Sequence, residues 1–178
     1  RLMTRRAMRR VLDEAVRTSD PARSEALRQM IDELVPDKAP VETAQSVFRL
    51  LLEEGVSVRN IGLILETIAE VRAWCENAEQ ITEHVRRRLS KQISTGLRND
   101  RGEIALIQLS PDWEQTFQRH EVVKSAGVKD VALPPEEFNR LTRAVQDQIR
   151  KAAEKGITPA IITFGERRRF IRSVLSAK

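Results

Sequence analysis

The chain has 178 residues, of which 40% are hydrophobic and 32% are charged, and its formal net charge is +5. This length suits one domain or two small ones, and no apolar run approaches the roughly 18 residues that a transmembrane helix requires. The charge is spread as +2 over residues 1–40, −1 over 41–100 and +4 over 101–178, so no segment shows the concentrated positive charge typical of a DNA-binding domain.

The first 40 residues predict two helices. Residues 4–17 carry apolar side chains at helical spacing, and Ser19, Asp20 and Pro21 then provide a cap and a first-turn proline for the next helix. The apolar positions of the two helices are Met8, Val11, Leu12, Ala15, Leu27, Met30, Ile31 and Leu34. No strand signal precedes about Arg98.

Residues 41–93 predict three more helices joined by short links. Gly55 follows the last apolar turn of the first, where a residue with positive φ closes a helix, and Ser57 offers an N-cap oxygen to the second. The third begins at about Asn77. Their apolar stripes are Val41, Ala44, Val47, Phe48 and Leu51, then Ile61, Ile64, Leu65, Ile68 and Val71, then Ile81, Val85, Leu89 and Ile93. Short links between amphipathic helices favour a compact helical unit.

The pattern changes after the polar turn at residues 99–102. Two short apolar runs, 104–109 and 160–164, fit strands that are covered on both faces. Residues 134–152 between them predict a helix, so the order strand, helix, strand predicts a right-handed parallel crossover. The apolar positions of this helix are Phe138, Leu141, Val145, Ile149 and Ala152.

Three further elements are expected in this second half. Residues 111–120 predict a short helix, residues 128–133 could form a short strand, and residues 166–177 predict a terminal helix. The predicted fold is therefore α+β and mainly helical. An all-helical subdomain at residues 1–100 is followed by a small α/β subdomain at residues 101–178 with a short parallel sheet.

Three separated motifs occur in an order that resembles one protein family. They are LLEEGVSVRNIGLILETIAE (51–70), ITEHVRRRLSKQI (81–93) and PAIITFGERRRFIRSVL (159–175). With the preceding Leu34-Val35-Pro36, they resemble the cytoplasmic region of the FlhA family, the export-gate component of bacterial flagellar type III secretion, and of its injectisome relatives. Asn60, where the family commonly has an aspartate, and His84, where it usually has an aromatic, depart from the pattern.

The resemblance implies a function as a ring-forming scaffold. Its members form a nine-membered ring under the export gate and receive export chaperones with their substrates and the export ATPase complex. The parent protein would be membrane-anchored, with this soluble part on the cytoplasmic side of the inner membrane. The family's chaperone-docking cleft lies chiefly in earlier subdomains, so no chaperone-contact residue is transferred here. The start at Arg1 without a methionine fits a fragment of such a protein. The segment ILETIAE (64–70) resembles flagellar members more than injectisome members.

The sequence offers no catalytic site. It lacks a P-loop, GxGxxG, GxSxG, HExxH and paired CxxC motifs, so we expect no enzyme activity, cofactor or metal. His84 and His120 lie in different predicted subdomains. The single cysteine, Cys75, excludes an internal disulfide and suits a reducing compartment.

Two groups of carboxylates bear on catalysis and metal binding. Glu53 and Glu54 are adjacent on a helix and so point about 100° apart, which prevents them from acting as a catalytic pair. Cys75, Glu79 and Glu83 could ligate a metal only on a continuous helix and with a fourth donor.

Two arginine runs, Arg86 to Arg88 and Arg167 to Arg169, leave two interpretations open. They form either a solvated helix surface, paired with Glu83 or Glu166, or a docking surface for a neighbouring subunit or an acidic helix. A basic helical module could also bind nucleic acid, although a recognition helix following Val58 would carry few groove-reading side chains.

The predicted partner-binding residues lie on the helical part. They are Arg59, Arg72 and Trp74, expected at a contact with a neighbouring subunit. Arg59 could alternatively pair with a carboxylate in its own subdomain. Trp74 is either a core anchor or an interface aromatic, and its apolar bulk favours the core.

Overall fold

The computed structural model describes residues 5–18, 21–35, 38–123 and 129–176. The chain divides into two compact units, residues 1–96 and residues 97–178. Among the described residues, no helix combines the length and apolarity needed to cross a bilayer.

The first unit consists of helices. Their bounds are α1 Arg5–Thr18, α2 Pro21–Leu34, α3 Val41–Glu53, α4 Ile61–Val71, α5 Ala78–Arg88 and α6 Ser90–Gly96. The predicted apolar stripes of α3, α4 and α5 form the core, with Val47, Ile64 and Val85 fully buried. Helix α1 adds Met8 and Leu12 to this core. The periodicity therefore predicted α3 and α4 and the faces that they bury. The third predicted helix, however, ends at its C-cap Leu89, and Ile93 lies on the separate short helix α6, which has no fully buried side chain.

The connection between α3 and α4 differs from its prediction. Gly55 has a φ of +68°, which confirms the predicted helix closure. Ser57 is not the N-cap, however, because α4 begins only at Ile61 and Asn60 occupies the cap position without a side-chain hydrogen bond. Val56 is buried in the core, so the chain packs inward before the next helix starts. The connection is consequently longer than the sequence suggested.

The link between α4 and α5 is stabilised by reciprocal hydrogen bonds. The Asn77 Oδ1 accepts a hydrogen bond from the Gln80 amide at 2.9 Å, and the Glu76 amide donates to the Gln80 Oε1 at 2.8 Å. This arrangement resembles a capping box. It starts α5 at the predicted position and holds the preceding turn in place.

The second unit mixes helices and strands. Its elements are β1 Leu106–Gln108, α7 Pro111–Arg119, β2 Glu121–Val123, β3 Lys129–Val131, α8 Pro135–Ala153, β4 Ala160–Ile162 and α9 Gly165–Ser176. Strands β1 and β4 pair in parallel with Ile107 opposite Ile161, as predicted, while β2 and β3 form an antiparallel pair. The core contains Phe117, Leu141, Val145, Ile171 and Val174.

Several expectations for this unit were wrong in detail. The strands are three residues long, and β2 was not predicted. Leu106 and Ile162 are exposed, so the parallel sheet is not covered on both faces within this unit. Ile149 is also exposed, because α8 turns that position away from the core. The fold class, mainly helical with a short parallel sheet, is confirmed.

Candidate subunit and partner interface

Arg59 lies in the connection between α3 and α4, before the first turn of α4. Its side chain is exposed, and no ion pair of Arg59 occurs within the described ranges. The connection itself is held in place, because the Gln92 Nε2 on α6 donates a hydrogen bond to the Ser57 carbonyl at 2.7 Å. The backbone next to Arg59 is therefore held in place, while the Arg59 side chain is exposed.

Arg72 and Trp74 lie in the turn between α4 and α5. Arg72 is the C-cap of α4 and is exposed. Trp74 is 61% exposed and makes an edge-to-face contact with His84, with 4.7 Å between the ring centroids. The preference for a buried Trp74 was therefore wrong, because the turn carries the residue past the end of the α4 stripe.

The three predicted residues do not converge on one site. Helix α4 has 11 residues and is about 16 Å long at 1.5 Å per residue. Arg59 lies at its N-terminal end, and Arg72 and Trp74 lie at its C-terminal end. The helical unit therefore presents two separate patches, which we call the Arg59 end and the Trp74 end.

Two arginines of the first run form ion pairs within the helical unit. Arg86 pairs with Glu54 at 2.6 Å, and both side chains are largely buried. Arg88 pairs with Glu70 at the surface. Intramolecular pairing was expected, and the partners Glu54 and Glu70 lie outside α5. The Arg86 pair brings the end of α3 to α5 and so helps to support the Arg59 end.

The second run contains a buried cation. Arg167 is 6% exposed, and its guanidinium donates hydrogen bonds to Glu114 at 3.0 Å and to Glu121 at 3.1 Å. Burial alone would lower the pKa of Arg167, but the hydrogen bonds and charges of the two carboxylates raise it above its ordinary value. Arg167 therefore joins α9 to α7 and β2, and the prediction of a solvated Arg167 was wrong. Glu114 and Glu121 are 53 and 46 positions away from Arg167 in the sequence. Local sequence spacing therefore could not predict this pairing.

An apolar groove of about 560 Å³ lies beside the parallel sheet of the second unit. Phe164, which follows β4, is 72% exposed, and Leu106 and Ile162 on the strands are also exposed. Trp113 lines the same groove and carries the Arg140 guanidinium over its ring at 4.5 Å. Contiguous exposed apolar side chains mark surfaces that bind another protein. This groove was not predicted, because the apolar runs 104–109 and 160–164 indicated a sheet that is covered on both faces.

Cys75, Glu79 and Glu83 do not form the metal site that a continuous helix would have allowed. Cys75 precedes the N-cap of α5, so it does not share a helix face with Glu79 and Glu83. No cluster of metal-ligating side chains occurs among the described residues. Burial raises the pKa of the Cys75 thiol, which lowers its reactivity.

A family model and curated relatives match this chain. The model of the FHIPEP family matches residues 1–178. The flagellar biosynthesis protein FlhA of Caulobacter vibrioides is 34% identical over 151 residues, covering 85% of this chain and 21% of the relative. FlhA of Helicobacter pylori is 31% identical over 126 residues, covering 70% of this chain and 17% of the relative. The chain thus spans about a fifth of the length of these relatives.

Solved structures share the fold. The MxiA protein of Shigella flexneri has a TM-score of 0.77 at 21% identity, covering 99% of this chain and 52% of MxiA. Nonameric EPEC SctV-C has a TM-score of 0.71 at 16% identity, with coverage of 99% and 50%. The CdsV protein of Chlamydia pneumoniae in complex with CdsO has a TM-score of 0.68 at 21% identity, with coverage of 99% and 49%. The family match, supported by the FlhA relatives and this shared fold, shows that the chain belongs to the FHIPEP family.

Proposed function

We propose that this chain is part of the cytoplasmic region of a flagellar type III export-gate protein and has no catalytic role. In this proposal the helical unit joins neighbouring subunits into a ring, and the whole protein receives export chaperones, their substrates and the export ATPase complex at the inner membrane. FlhA relatives at 34% and 31% identity support the flagellar assignment. An injectisome export-gate protein is the alternative within the same family.

The exposed Trp74 is the observation that carries the ring proposal. The few residues that carry most of the binding energy of a protein interface are enriched in tryptophan, tyrosine and arginine. Trp74 with Arg72 beside it, and Arg59 at the other end of α4, therefore supply interface-type side chains on a rigid helical unit. The nonameric state of SctV-C, which shares this fold, supports a ring.

The groove of the second unit supports the docking part of the proposal. Its exposed Phe164, Leu106 and Ile162 would lose unfavourable contact with water when a partner protein covers them. The complex of CdsV with CdsO supports the idea that a protein of this fold binds other proteins. We assign the groove to components of the export machinery, while chaperone contacts would lie chiefly in other parts of the parent protein.

A motility and secretion assay tests this function. The variants are Arg59→Glu and Trp74→Ala in the full-length protein, with Arg10→Glu as an exposed charge-reversal control on α1. We expect both variants to fold and accumulate normally but to reduce secretion of flagellar substrates, and we expect the control to secrete normally. Wild-type secretion by both variants would reject the interface assignment. Normal motility of a strain whose full-length protein lacks residues 1–178 would reject the export function.

Nucleic-acid binding is less well supported. The apolar face of α4, which would have to serve as a recognition helix, is buried in the core through Ile61, Ile64 and Leu65. A recognition helix must instead present several polar side chains to the groove. Tight duplex binding that weakens steeply with added salt would nevertheless overturn the scaffold proposal.

A further inference from the structure

We propose that neighbouring subunits meet head to tail, with Arg59 of one copy placed against Trp74 and Glu76 of the next. This inference rests on the proposed ring. A closed ring of more than two copies requires heterologous contacts, in which two different patches of the same chain meet. The Arg59 end and the Trp74 end are two such patches, separated along α4 by about 16 Å.

The two ends are chemically complementary. An arginine guanidinium binds favourably over the face of a tryptophan ring, and tryptophan is the best aromatic partner for a cation. Trp74 keeps 61% of its surface exposed despite its contact with His84. Glu76, two residues further on, is exposed and makes no ion pair within the described part of the chain. A single arginine could therefore contact both an aromatic face and a carboxylate.

Both ends are also held in place before they bind. The Glu76 amide and Asn77 are fixed by their hydrogen bonds to Gln80 at 2.8 and 2.9 Å. At the other end, Gln92 holds the Ser57 carbonyl at 2.7 Å. Segments that are already ordered lose less conformational entropy when they associate. This favours a specific contact between these two turns.

An isologous contact cannot build a ring of more than two copies. In two antiparallel copies, Arg59 of each could face Glu76 of the other, and this would use both ends of both copies in a closed dimer. The head-to-tail arrangement makes only one such pairing between two neighbours, with the cation of one copy against the carboxylate and aromatic ring of the next. Every open assembly then keeps one free end of each kind, so that assembly continues until the ring closes.

Cysteine crosslinking in the full-length protein tests the pairing. In a background with Cys75→Ser and any other cysteine replaced, Arg59→Cys and Glu76→Cys are introduced singly and together, and membranes are treated with a short bismaleimide. We expect the double variant to give a ladder of dimers, trimers and larger species, and each single variant to give monomer. Dimers from either single variant at the level of the double variant, or a double variant whose crosslinking stops at dimers, would overturn the head-to-tail pairing.

Charge reversal provides a second readout that a merely structural role would not reproduce. We expect Arg59→Glu and Glu76→Arg each to reduce secretion at least fivefold, and the two together to restore at least half of the wild-type level. Loss without mutual rescue would contradict the pairing. If the double cysteine variant forms assemblies of ring size but its two cysteines do not crosslink, this pairing is wrong and the ring proposal stands. If no assembly forms at all, both fail.

Discussion

Replacing Arg167 by methionine should strongly destabilise the second unit. The substitution keeps an unbranched apolar stem but removes the guanidinium, so it leaves Glu114 and Glu121 without the cation that both contact, at 3.0 and 3.1 Å. Removing one member of a fully buried ion pair costs about 3–5 kcal/mol, because an uncompensated charge remains. The two glutamate side chains are 29% and 21% exposed, so water offsets part of this cost. We therefore expect a loss of about 2–4 kcal/mol.

Urea unfolding followed by tryptophan fluorescence measures this loss. The chain has two tryptophans, Trp74 in the first unit and Trp113 in the second. In a Trp74→Phe background the signal comes from Trp113 alone, which stacks on Phe117 in the core of the second unit. Because the pKa of Arg167 is raised, its stabilising charge is fully present below its ordinary pKa and is lost only as the pH rises through the folded value. Measurements near neutral pH therefore report the full effect.

Two controls separate the ion pair from general damage to α9. Arg169→Met removes an exposed arginine from the same helix and should change stability by less than about 0.5 kcal/mol. Adding Glu114→Gln and Glu121→Gln to Arg167→Met removes the uncompensated charges and should recover part of the loss. An Arg167→Met variant that unfolds within about 0.5 kcal/mol of the wild type would refute the reasoning.

Three further predictions concern the first unit. Ile64→Ala and Leu65→Ala should each cost about 2–5 kcal/mol in urea unfolding, since both are fully buried, and an unchanged midpoint would contradict the assigned core. Gly55→Val should cost about 1–2 kcal/mol in a thermal melt, through backbone strain at positive φ alone, because no atom lies within 4 Å of the added Cβ; a wild-type melting temperature would show that the turn relaxes. Burial raises the pKa of the Cys75 thiol, so this thiol should react with a disulfide reagent more slowly in the native chain than in urea. The native reaction rate should also keep rising at pH values where the rate of the unfolded chain has levelled off. Equal rates in both states would disprove that burial.

Helical periodicity explains why so much of the first unit could be predicted. Apolar side chains repeat with the period of the helix, so α4 and α5 and their buried faces follow from local spacing. Gly55 and Asn77 also act locally, through a positive φ and a cap. Ser57 shows the limit of that reasoning. A good cap residue does not start a helix when the residues on either side of it pack against the core, as Val56 and Val58 do.

The candidate site depended on contacts that sequence spacing does not encode. The exposure of Trp74 is set by where the turn after α4 leads, and the burial of Arg167 is set by carboxylates from α7 and β2. The exposed groove at Phe164 arises because the β1–β4 sheet remains two strands wide in the described part of the second unit. Family resemblance supplied the functional class, whereas composition and periodicity alone predicted only a helical module with a small α/β unit.

The mass of the assembly formed by the full-length protein tests the central claim most directly. After mild detergent extraction, mass photometry measures the distribution of assembled copies over a range of protein concentrations. We expect a discrete species of nine copies for the wild type, as in nonameric SctV-C, and its loss in Arg59→Glu and Trp74→Ala with the Arg10→Glu control unchanged. A wild-type protein that remains monomeric or dimeric at every concentration at which it supports secretion would contradict the account.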